Sequence, residues 1–429
     1  MDSIYALSSG AGPSGVAVIR ISGPKAGEAL TALCGALPKP RYAALRALRR
    51  PGDGAVLDQG LVLWFPGPRS ETGEDMAELQ VHGSRAVVQA LFRVLAAQGL
   101  RLAEPGEFAR RAFANGKLDL TAVEGLADLI AAETEVQLRQ AIGQAGGALA
   151  RRAESWRERL IALRAEVEAR LDFSDEGDVE EGLPDDFRRT LEALIAEMRE
   201  AFADAASGER VREGFRVAIL GRPNAGKSSL LNALSHRDVA IVTAEAGTTR
   251  DVLEVPLDLG GYPVLVFDTA GLREAGSAAE AEGVRRARRA AENADLVLWL
   301  QDCRLPAEAV PDVGDRPVWR VTTKVDLRDG PVAGMGISVV SGAGLSELIG
   351  RVGRAAVECM GRGSALVTRR RQAEAIETAL AALAQAGEAR DEIAADLLRS
   401  ASEAIGRLGG RVDVEDVLDR LFSEFCIGK

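Results

Sequence analysis

The feature that most constrains the fold of this chain is a glycine-bounded loop between an apolar strand and a helix pattern. The apolar run Val217–Leu220 ends at Gly221, and Gly226, Lys227 and Ser228 follow in the spacing G-x-x-x-x-G-K-S. In this context the spacing is typical of a phosphate-binding loop. Glycine permits backbone angles that a Cβ would obstruct, and the loop and helix N–H groups then face an anion. The sequence therefore predicts an α/β domain with a phosphate site where the strand ends.

Composition narrows the class of protein further. The 429 residues are 47% hydrophobic and 27% charged, which is ordinary for a globular chain of several domains. No apolar run approaches the roughly 20 residues of a membrane span, and the N-terminus lacks the basic and apolar regions of a signal peptide. Four scattered cysteines without a CxxC pair argue against a disulfide framework and fit a reducing compartment. We therefore expect a cytoplasmic protein that contacts no membrane.

The net charge of −11 bears on RNA as a ligand. Proteins that grip a phosphate backbone alone normally carry a basic face. A net negative charge weakens RNA binding by the chain alone. If RNA is the substrate, we therefore expect a partner to supply many of the contacts to it.

Patterns along the chain divide it into four segments. Residues 1–118 mix short strand-like runs with turns, which predicts an α+β domain. Residues 119–212 and 367–429 are rich in helix formers. Between them, residues 213–366 alternate apolar strands with helical stretches, the βαβ pattern of a mainly parallel sheet. The simplest packing joins the two helical stretches into one discontinuous all-α domain, into which the P-loop domain is inserted.

Motifs downstream of the loop indicate the nucleotide. A threonine-bearing segment at 243–251 fits a switch loop that meets Mg²⁺ when a γ-phosphate is present. Asp268 begins a D-x-x-G motif at a strand end, which places an acid near Mg²⁺. Thr323-Lys324-Val325-Asp326 occupies the position of a guanine-reading N-K-x-D motif, where Asp326 can accept from N–H groups that adenine lacks. The ordered set predicts GTP rather than ATP.

The predicted nucleotide site is therefore drawn from five segments of the chain. Its residues are Asn224, Ala225, Gly226, Lys227, Ser228, Ser229, Thr243, Ala244, Glu245, Ala246, Gly247, Thr248, Thr249, Asp268, Thr269, Ala270, Gly271, Thr323, Lys324, Asp326 and Ser338. Lys227 is expected to reach the β- and γ-phosphates, and Ser228 to ligate Mg²⁺.

Three positions depart from the usual motifs. Thr323 replaces an asparagine, and Ser338 is followed by two valines rather than by Ala-Lys, so both changes bear on nucleotide affinity. Leu272 stands where Ras-like proteins carry a water-orienting glutamine. Other groups must therefore orient the attacking water and offset the charge of the transition state, and no arginine is obviously committed to the second role.

Two candidates for that missing chemistry lie near the loop. The side chain of Asn224, together with switch carbonyls, can hold a monovalent cation that offsets the charge of the transition state. The alternative is that Asn224 only stabilises the turn. Glu280 or Glu282 can orient water, although lone acidic residues in a loop are usually solvated.

With these residues in place, the chain resembles the MnmE (TrmE) family of tRNA-modification GTPases over essentially its full length. The segments that carry the resemblance are 15–23, 78–83, 106–120, 221–228, 246–251 and the terminal Phe-Cys-Ile-Gly-Lys at 425–429. The resemblance implies an N-terminal folate-binding domain that mediates dimerisation, a helical domain and an inserted Ras-like G domain. It also implies a homodimer that works with an FAD-dependent partner, MnmG (GidA), in a heterotetramer or larger complex.

The family's activity follows from the same resemblance. It implies K⁺-stimulated GTP hydrolysis coupled to addition of an aminomethyl or carboxymethylaminomethyl group at C5 of the wobble uridine of certain tRNAs. A reduced folate, 5-formyl- or methylene-tetrahydrofolate, is the implied one-carbon donor.

Site residues are implied position by position. Asn224, Thr243, Glu245 and Thr248 surround K⁺, with Glu245 contributing its backbone carbonyl, while Ser228 and Thr249 ligate Mg²⁺. The catalytic candidates are Glu280, Lys227, Arg250 and Cys426, and the folate contacts are Arg20, Glu78, Lys117 and Lys429. From sequence alone the folate residues also read as surface charges, and Cys426 as a small packed residue.

Two other functions compete with this hypothesis. The first is a binding switch in ribosome assembly that performs no modification. A basic RNA-binding appendage would favour this function, and none is seen in the sequence. A folate-dependent transferase with a vestigial G domain would not need the intact Lys227, Ser228, Asp268 and Asp326.

Overall fold

The computed structural model describes residues 2–10, 12–172, 184–241, 253–268, 288–289, 291–306, 309–310, 313–328, 330–332, 334–410, 415–423, 425 and 427–428. The chain divides into two compact units. One comprises Met1–Ala127, Gln144–Glu168 and Leu398–Lys429, and the other comprises Asp128–Gly143 and Ala169–Leu397. None of the helices in the described residues has the length and hydrophobicity that a membrane crossing requires.

The first unit contains a six-stranded sheet near the N-terminus. Its strands are β1 (Ile4–Leu7), β2 (Ser14–Ser22), β3 (Ala44–Arg49), β4 (Val56–Phe65), β5 (Met76–Gly83) and β6 (Arg101–Leu102). Their order is β3-β4-β5-β2-β1-β6, and every neighbouring pair is antiparallel except β1 with β6. The strand-like runs expected in residues 1–118 are thus present as the strands of this sheet.

The helices are given in chain order. They are α1 (Ala26–Cys34), α2 (Arg85–Ala97), α3 (Glu107–Ala114), α4 (Leu120–Ala131), α5 (Glu135–Ala145), α6 (Ala148–Asp172), α7 (Asp185–Ala203), α8 (Ala205–Glu213), α9 (Lys227–Ser235), α10 (Leu345–Met360), α11 (Arg370–Ala386), α12 (Asp391–Leu408) and α13 (Glu415–Ser423).

One face of the first sheet is covered by α1 and α2. Leu30 of α1 and Leu91 and Leu95 of α2 are fully buried in the same core cluster as Ile19 and Leu79 of the sheet. The serine that precedes α2 accepts a hydrogen bond from a backbone N–H of the first turn, which supplies the helix with an N-cap. This packing makes an α+β layer, as the sequence predicted.

The C-terminal helix packs against residues that follow the first sheet. Leu421 and Phe422 of α13, with Phe425, share a buried cluster with Leu120 and Val123 of α4. The helical character predicted for residues 367–429 is thus present in α13. In the second unit, Asp128 of α4 receives a 2.6 Å hydrogen bond from Arg369, which lies just before α11. Helical residues from before and after the inserted segment therefore meet.

The second unit contains the sheet predicted around the phosphate loop. Its strands are β7 (Phe215–Gly221), β8 (Leu253–Asp258), β9 (Pro263–Asp268), β10 (Leu296–Asp302), β11 (Val318–Thr323) and β12 (Met335–Ile337). The order is β12-β11-β10-β7-β9-β8, and all pairs are parallel except β8 with β9. The prediction of a mainly parallel α/β domain is confirmed.

The parallel strands bring four chain segments to one edge. Because β7, β9, β10 and β11 run in the same direction, their carboxyl ends lie together, where ligands of open α/β sheets bind. β7 leads into the phosphate loop, and the other three strands end at Asp268, Asp302 and Thr323. The core below this edge includes Val217, Leu230 and Val321.

Candidate functional site

The phosphate loop joins β7 to α9 through backbone conformations that favour glycine. Gly221 has φ +151° and Gly226 has φ +97°. A Cβ at Gly221 would lie 2.5 Å from the carbonyl oxygen of Leu300, so this position also lacks the space for a side chain. Asn224 has φ +63°, an uncommon conformation for a residue with a Cβ. The loop therefore has the tight shape that its sequence motif predicted.

Lys227 folds back over the loop from the first turn of α9. Its Nζ donates to the carbonyl oxygens of Gly221 and Arg222, each at 2.9 Å. Burial lowers the pKa of the Lys227 ammonium below its ordinary value, and the nearby Asp268 carboxylate opposes that shift. The ammonium is thus centred on the loop, where phosphate oxygens can replace the carbonyls as its partners.

Ser228 and Asp268 lie side by side at the same edge. The Ser228 hydroxyl donates to the Asp268 carboxylate at 3.3 Å, and Asp268 is 1% exposed. A hydroxyl oxygen next to a buried carboxylate is the kind of oxygen donor set that Mg²⁺ prefers. The two residues fit the metal role expected from sequence.

The segment predicted to read guanine is attached to the phosphate loop by two contacts. Thr323, 3% exposed, places its Oγ1 2.7 Å from the carbonyl oxygen of Ala225. Lys324 donates from Nζ to the carbonyl oxygen of Asn224 at 2.7 Å. Asp326 lies in a short 3-10 helix, Val325–Leu327, that directly follows Lys324. Its side chain is exposed and can face a ligand at this edge.

Ser338 has a structural setting at the end of β12. It is fully buried, and its Oγ accepts a hydrogen bond from the backbone N–H of Ser341 at 3.1 Å. The Ser338 N–H also donates to the carbonyl oxygen of Ala343 at 2.9 Å. These bonds close the loop that follows the strand without the lysine of the usual motif.

Asp302 completes the edge and is not among the residues that the motifs predicted. Its side chain is 5% exposed and lies 2.8 Å from Lys324 Nζ and 2.7 Å from the Arg304 guanidinium. These cations, Arg304 first, hold the pKa of the Asp302 carboxyl well below its usual range. Its position at the end of an apolar strand could have marked Asp302 as a site residue from sequence, because the carboxyl ends of parallel strands form ligand sites.

The remaining predicted nucleotide and metal residues lie outside the described residues. They are Thr243, Ala244, Glu245, Ala246, Gly247, Thr248, Thr249, Arg250, Thr269, Ala270, Gly271 and Glu280, and the same holds for Cys426 and Lys429. Ala225 and Ser229 are described at the loop and in the first turn of α9.

Two of the predicted folate residues are paired across the first sheet. Arg20 of β2 lies opposite Glu78 of β5, and its Nε donates to Glu78 Oε1 at 2.9 Å. A second guanidinium nitrogen of Arg20 lies 3.1 Å from Glu71. Lys117 is exposed, and its side chain lies beside Gly73, where an added Cβ would be 3.2 Å from Lys117 Cε.

The loop around Glu71 and Gly73 therefore borders two of these side chains, Arg20 and Lys117. It is fixed by Asn115, which donates to the carbonyl oxygen of Thr72 at 2.7 Å. Arg111, 8% exposed, supports the same loop through Glu74 at 3.1 Å. The sequence reasoning missed this support, because nothing in the spacing of Arg111 and Glu74 marks them as partners.

Comparison with known proteins agrees with this architecture. A family model described as GTP-binding protein TrmE N-terminus matches residues 3–117, and one described as MnmE helical domain matches residues 120–426. The tRNA modification GTPase MnmE of Rhodopseudomonas palustris is 51% identical, over 99% of this chain and 98% of its own length. The protein of the same name from Azorhizobium caulinodans is 55% identical, over 100% of this chain and 99% of its own.

Solved structures match a smaller part of the chain. A variant of Era from Aquifex aeolicus, bound to GDP and AlF4⁻, is 27% identical over 32% of this chain and 56% of its own, with a TM-score of 0.26. The assignment rests instead on the family models and the near full-length relatives. The chain belongs to the MnmE family of tRNA modification GTPases.

Proposed function

We propose that this chain hydrolyses GTP to drive modification of tRNA at the wobble uridine. The observation that carries the proposal is the meeting of Lys227, Ser228, Asp268 and the Thr323–Asp326 segment at one sheet edge. Family membership supplies the link from this edge to tRNA. A vestigial G domain would have no reason to keep these groups in binding geometry.

The described side chains divide the work of binding GTP. Lys227 places positive charge against the β- and γ-phosphate oxygens, while the loop N–H groups donate to the phosphates. Ser228, with Thr249 outside the described residues, would hold Mg²⁺, and Asp268 lies against that serine. When bound there, Mg²⁺ would supply positive charge that offsets negative charge on the phosphates. Asp326 accepts from guanine N–H groups.

Hydrolysis needs one group that orients the attacking water, since Leu272 offers no polar side chain in the position of the usual glutamine, and another that offsets the transition-state charge. In our proposal Asn224, Thr243, Glu245 and Thr248 hold K⁺ beside the phosphates. Asn224 is the residue of this set that the phosphate loop itself supplies, and its backbone there is left-handed. Glu280 would orient the water.

Folate binding is assigned to the first sheet. Arg20 and Glu78 form a half-buried ion pair, with side chains 23% and 16% exposed, beside the loop that also contacts Lys117. The acid can accept from pterin N–H groups, and Arg20 and Lys117, with Lys429, can pair with folate carboxylates. The reduced folate would supply the one-carbon unit, and Cys426 is the proposed thiol near it.

The assembly completes the proposal. Residues 1–118 would form the folate and dimerisation domain, residues 119–212 and 367–429 the helical domain, and residues 213–366 the G domain. The chain would form a homodimer in the cytoplasm and act together with the flavoprotein MnmG (GidA). Both proteins would contact the tRNA. The acidic charge of −11 supports such a division of binding.

Nucleoside analysis of tRNA tests this function. A strain that lacks the gene should lose the C5 substituent of the wobble uridine, as seen by mass spectrometry of digested tRNA. The intact chain should restore it, and the Lys227→Ala variant, expressed at the same level, should not. Unchanged wobble uridines in the deletion strain, with a defect in ribosome assembly, would support the binding-switch alternative instead.

A further inference from the structure

We propose that Asp302 is a positioning residue that locks the guanine-reading segment to the part of the phosphate loop that carries Asn224. It acts through Lys324, and it does not touch the nucleotide. The inference rests on the proposed function, because it assigns Asn224 to the cation and Asp326 to the base.

The first support is the setting of the Asp302 carboxylate. Its side chain is 5% exposed, yet it is held as a charged group by Lys324 and Arg304. Burying a charge is costly unless close partners compensate. Removing the charge of Asp302 therefore leaves Lys324, whose side chain is 29% exposed, without its anionic contact.

The second support is what Lys324 does with its other hydrogen bond. The same Nζ that contacts Asp302 at 2.8 Å donates to the carbonyl oxygen of Asn224 at 2.7 Å. The carboxylate, the ammonium and the loop carbonyl thus form a continuous chain of contacts. This chain joins the end of β10 to the segment after β11 and to the phosphate loop.

The third support is the backbone at both ends of the Lys324–Asn224 bond. Non-glycine residues with positive φ in the described part of the chain are Arg41, Asn224 and Lys324. Two of these three are hydrogen-bonded to each other. Left-handed backbone is unfavourable for lysine and persists there when surrounding contacts impose it, whereas asparagine adopts it more readily. The Asp302 contact supplies such a constraint at Lys324, which transmits it to Asn224.

The consequence is a coupling between the two ends of the nucleotide site. Asp326, two residues after Lys324, reads the base, and Asn224 seats the cation in our proposal. If the Asp302–Lys324–Asn224 contacts set the positions of Asp326 and Asn224, breaking these contacts weakens base binding and cation binding together. By linkage, nucleotide and K⁺ then reinforce each other's binding through this contact.

Arg304 provides a matched control. It contacts the same carboxylate as Lys324, but its side chain is 55% exposed, and in the described residues its hydrogen bonds go to Asp302. Arg304→Ala removes one cation from Asp302 and leaves the chain of contacts to Asn224 in place. A role of Asp302 in simple charge balance would make the two cations equivalent.

The experiment compares Asp302→Asn, Lys324→Met, the double variant and Arg304→Ala in the full-length protein. GDP affinity is measured with a fluorescent guanine nucleotide, and the K⁺ concentration for half-maximal GTP turnover is measured on the same samples. We expect Asp302→Asn to raise the GDP Kd about tenfold and the half-maximal K⁺ concentration at least threefold. Arg304→Ala should change each by less than twofold.

The double variant decides whether Asp302 acts through Lys324. We expect it to bind GDP no more weakly than Lys324→Met alone, because the second change removes a contact already broken. Losses of affinity that multiply, or an Arg304→Ala effect equal to that of Asp302→Asn, would overturn the proposal. If Asp302→Asn fails to fold, Asp302→Glu, which keeps the charge but displaces it by one methylene, takes its place in the same comparison.

The test separates this inference from the proposed function. GDP binding and its non-additivity do not depend on hydrolysis or on tRNA. An intact protein without K⁺ stimulation would count against the proposed function. An unchanged GDP affinity in Asp302→Asn would count against the positioning role of Asp302.

Discussion

Thr323 Oγ1 lies 2.7 Å from the carbonyl oxygen of Ala225, so a buried hydrogen bond joins the guanine-reading segment to the phosphate loop. The residue stands where the usual motif has asparagine. Its hydroxyl is directed toward the loop, and its 3% exposure leaves little surface for a ligand. This departure from the motif therefore serves to hold two ligand-binding segments together.

Thr323→Val tests that contact, because valine keeps the shape and removes the donor. Leaving a buried carbonyl without a partner costs about 1–3 kcal/mol, so we expect a lower apparent Tm and a several-fold higher GDP Kd. Thr323→Ser keeps the hydroxyl and should retain most of the affinity. Thermal unfolding and nucleotide titration measure both effects, and equal behaviour of the two variants would contradict the assigned role.

Asp326→Asn should exchange the base preference. The carboxylate accepts from two guanine N–H groups, and an amide can instead donate to the second carbonyl of xanthine. We expect GTP affinity to fall about 100-fold or more, since unpaired polar groups are strongly rejected in such sites. Competition between GTP and XTP for the variant measures the exchange, and a variant that still favours GTP would contradict the reading of Asp326.

Glu78→Gln should weaken folate binding through loss of charge alone. We expect the Kd for 5-formyl-tetrahydrofolate to rise about tenfold, because hydrogen bonds to a charged group are worth about 1.5–3 kcal/mol. Glu71→Gln is the matched control, since Glu71 also contacts Arg20 but is 46% exposed. Such exposed pairs contribute little. Isothermal titration should show less than a twofold change in the folate Kd of Glu71→Gln. Equal losses of affinity in the two variants would indicate that the orientation of Arg20, rather than Glu78 itself, determines folate binding.

Lys227 predicts a pH dependence of stability in the nucleotide-free protein. Its pKa is lowered in the folded state by burial, so the unfolded state binds more protons between the folded pKa and the ordinary value of 10.5. The contribution of this residue to the free energy of unfolding therefore rises as pH increases through that alkaline window. The difference in apparent Tm between the wild type and Lys227→Met should shift in favour of the wild type as pH rises. A shift in the opposite direction would contradict the burial of the ammonium.

Much of the fold could be predicted from local sequence. The apolar runs in residues 213–366, among them Val217–Leu220, predicted parallel strands because both faces of such strands are buried. The glycines at 221 and 226 predicted the loop between β7 and α9 because few other residues adopt its backbone angles.

The contacts that assemble the site could not be read in the same way. Asp302 and Lys324 are 22 positions apart, and Arg20 and Glu71 are 51 apart, so sheet register and loop paths decide their pairing. Thr323 looked like a weakened base contact, because a motif does not reveal where a buried hydroxyl is directed. Local patterns specify elements, whereas side-chain partners depend on tertiary packing.

The most direct test of the account is GTP turnover in KCl and in NaCl at equal ionic strength, for the wild type and for Asn224→Ala. A cation that offsets transition-state charge beside the phosphates should accelerate the wild type roughly 10- to 100-fold in KCl, and Asn224→Ala should abolish that preference. Equal wild-type rates in the two salts, or a potassium preference that survives in Asn224→Ala, would contradict the proposed mechanism.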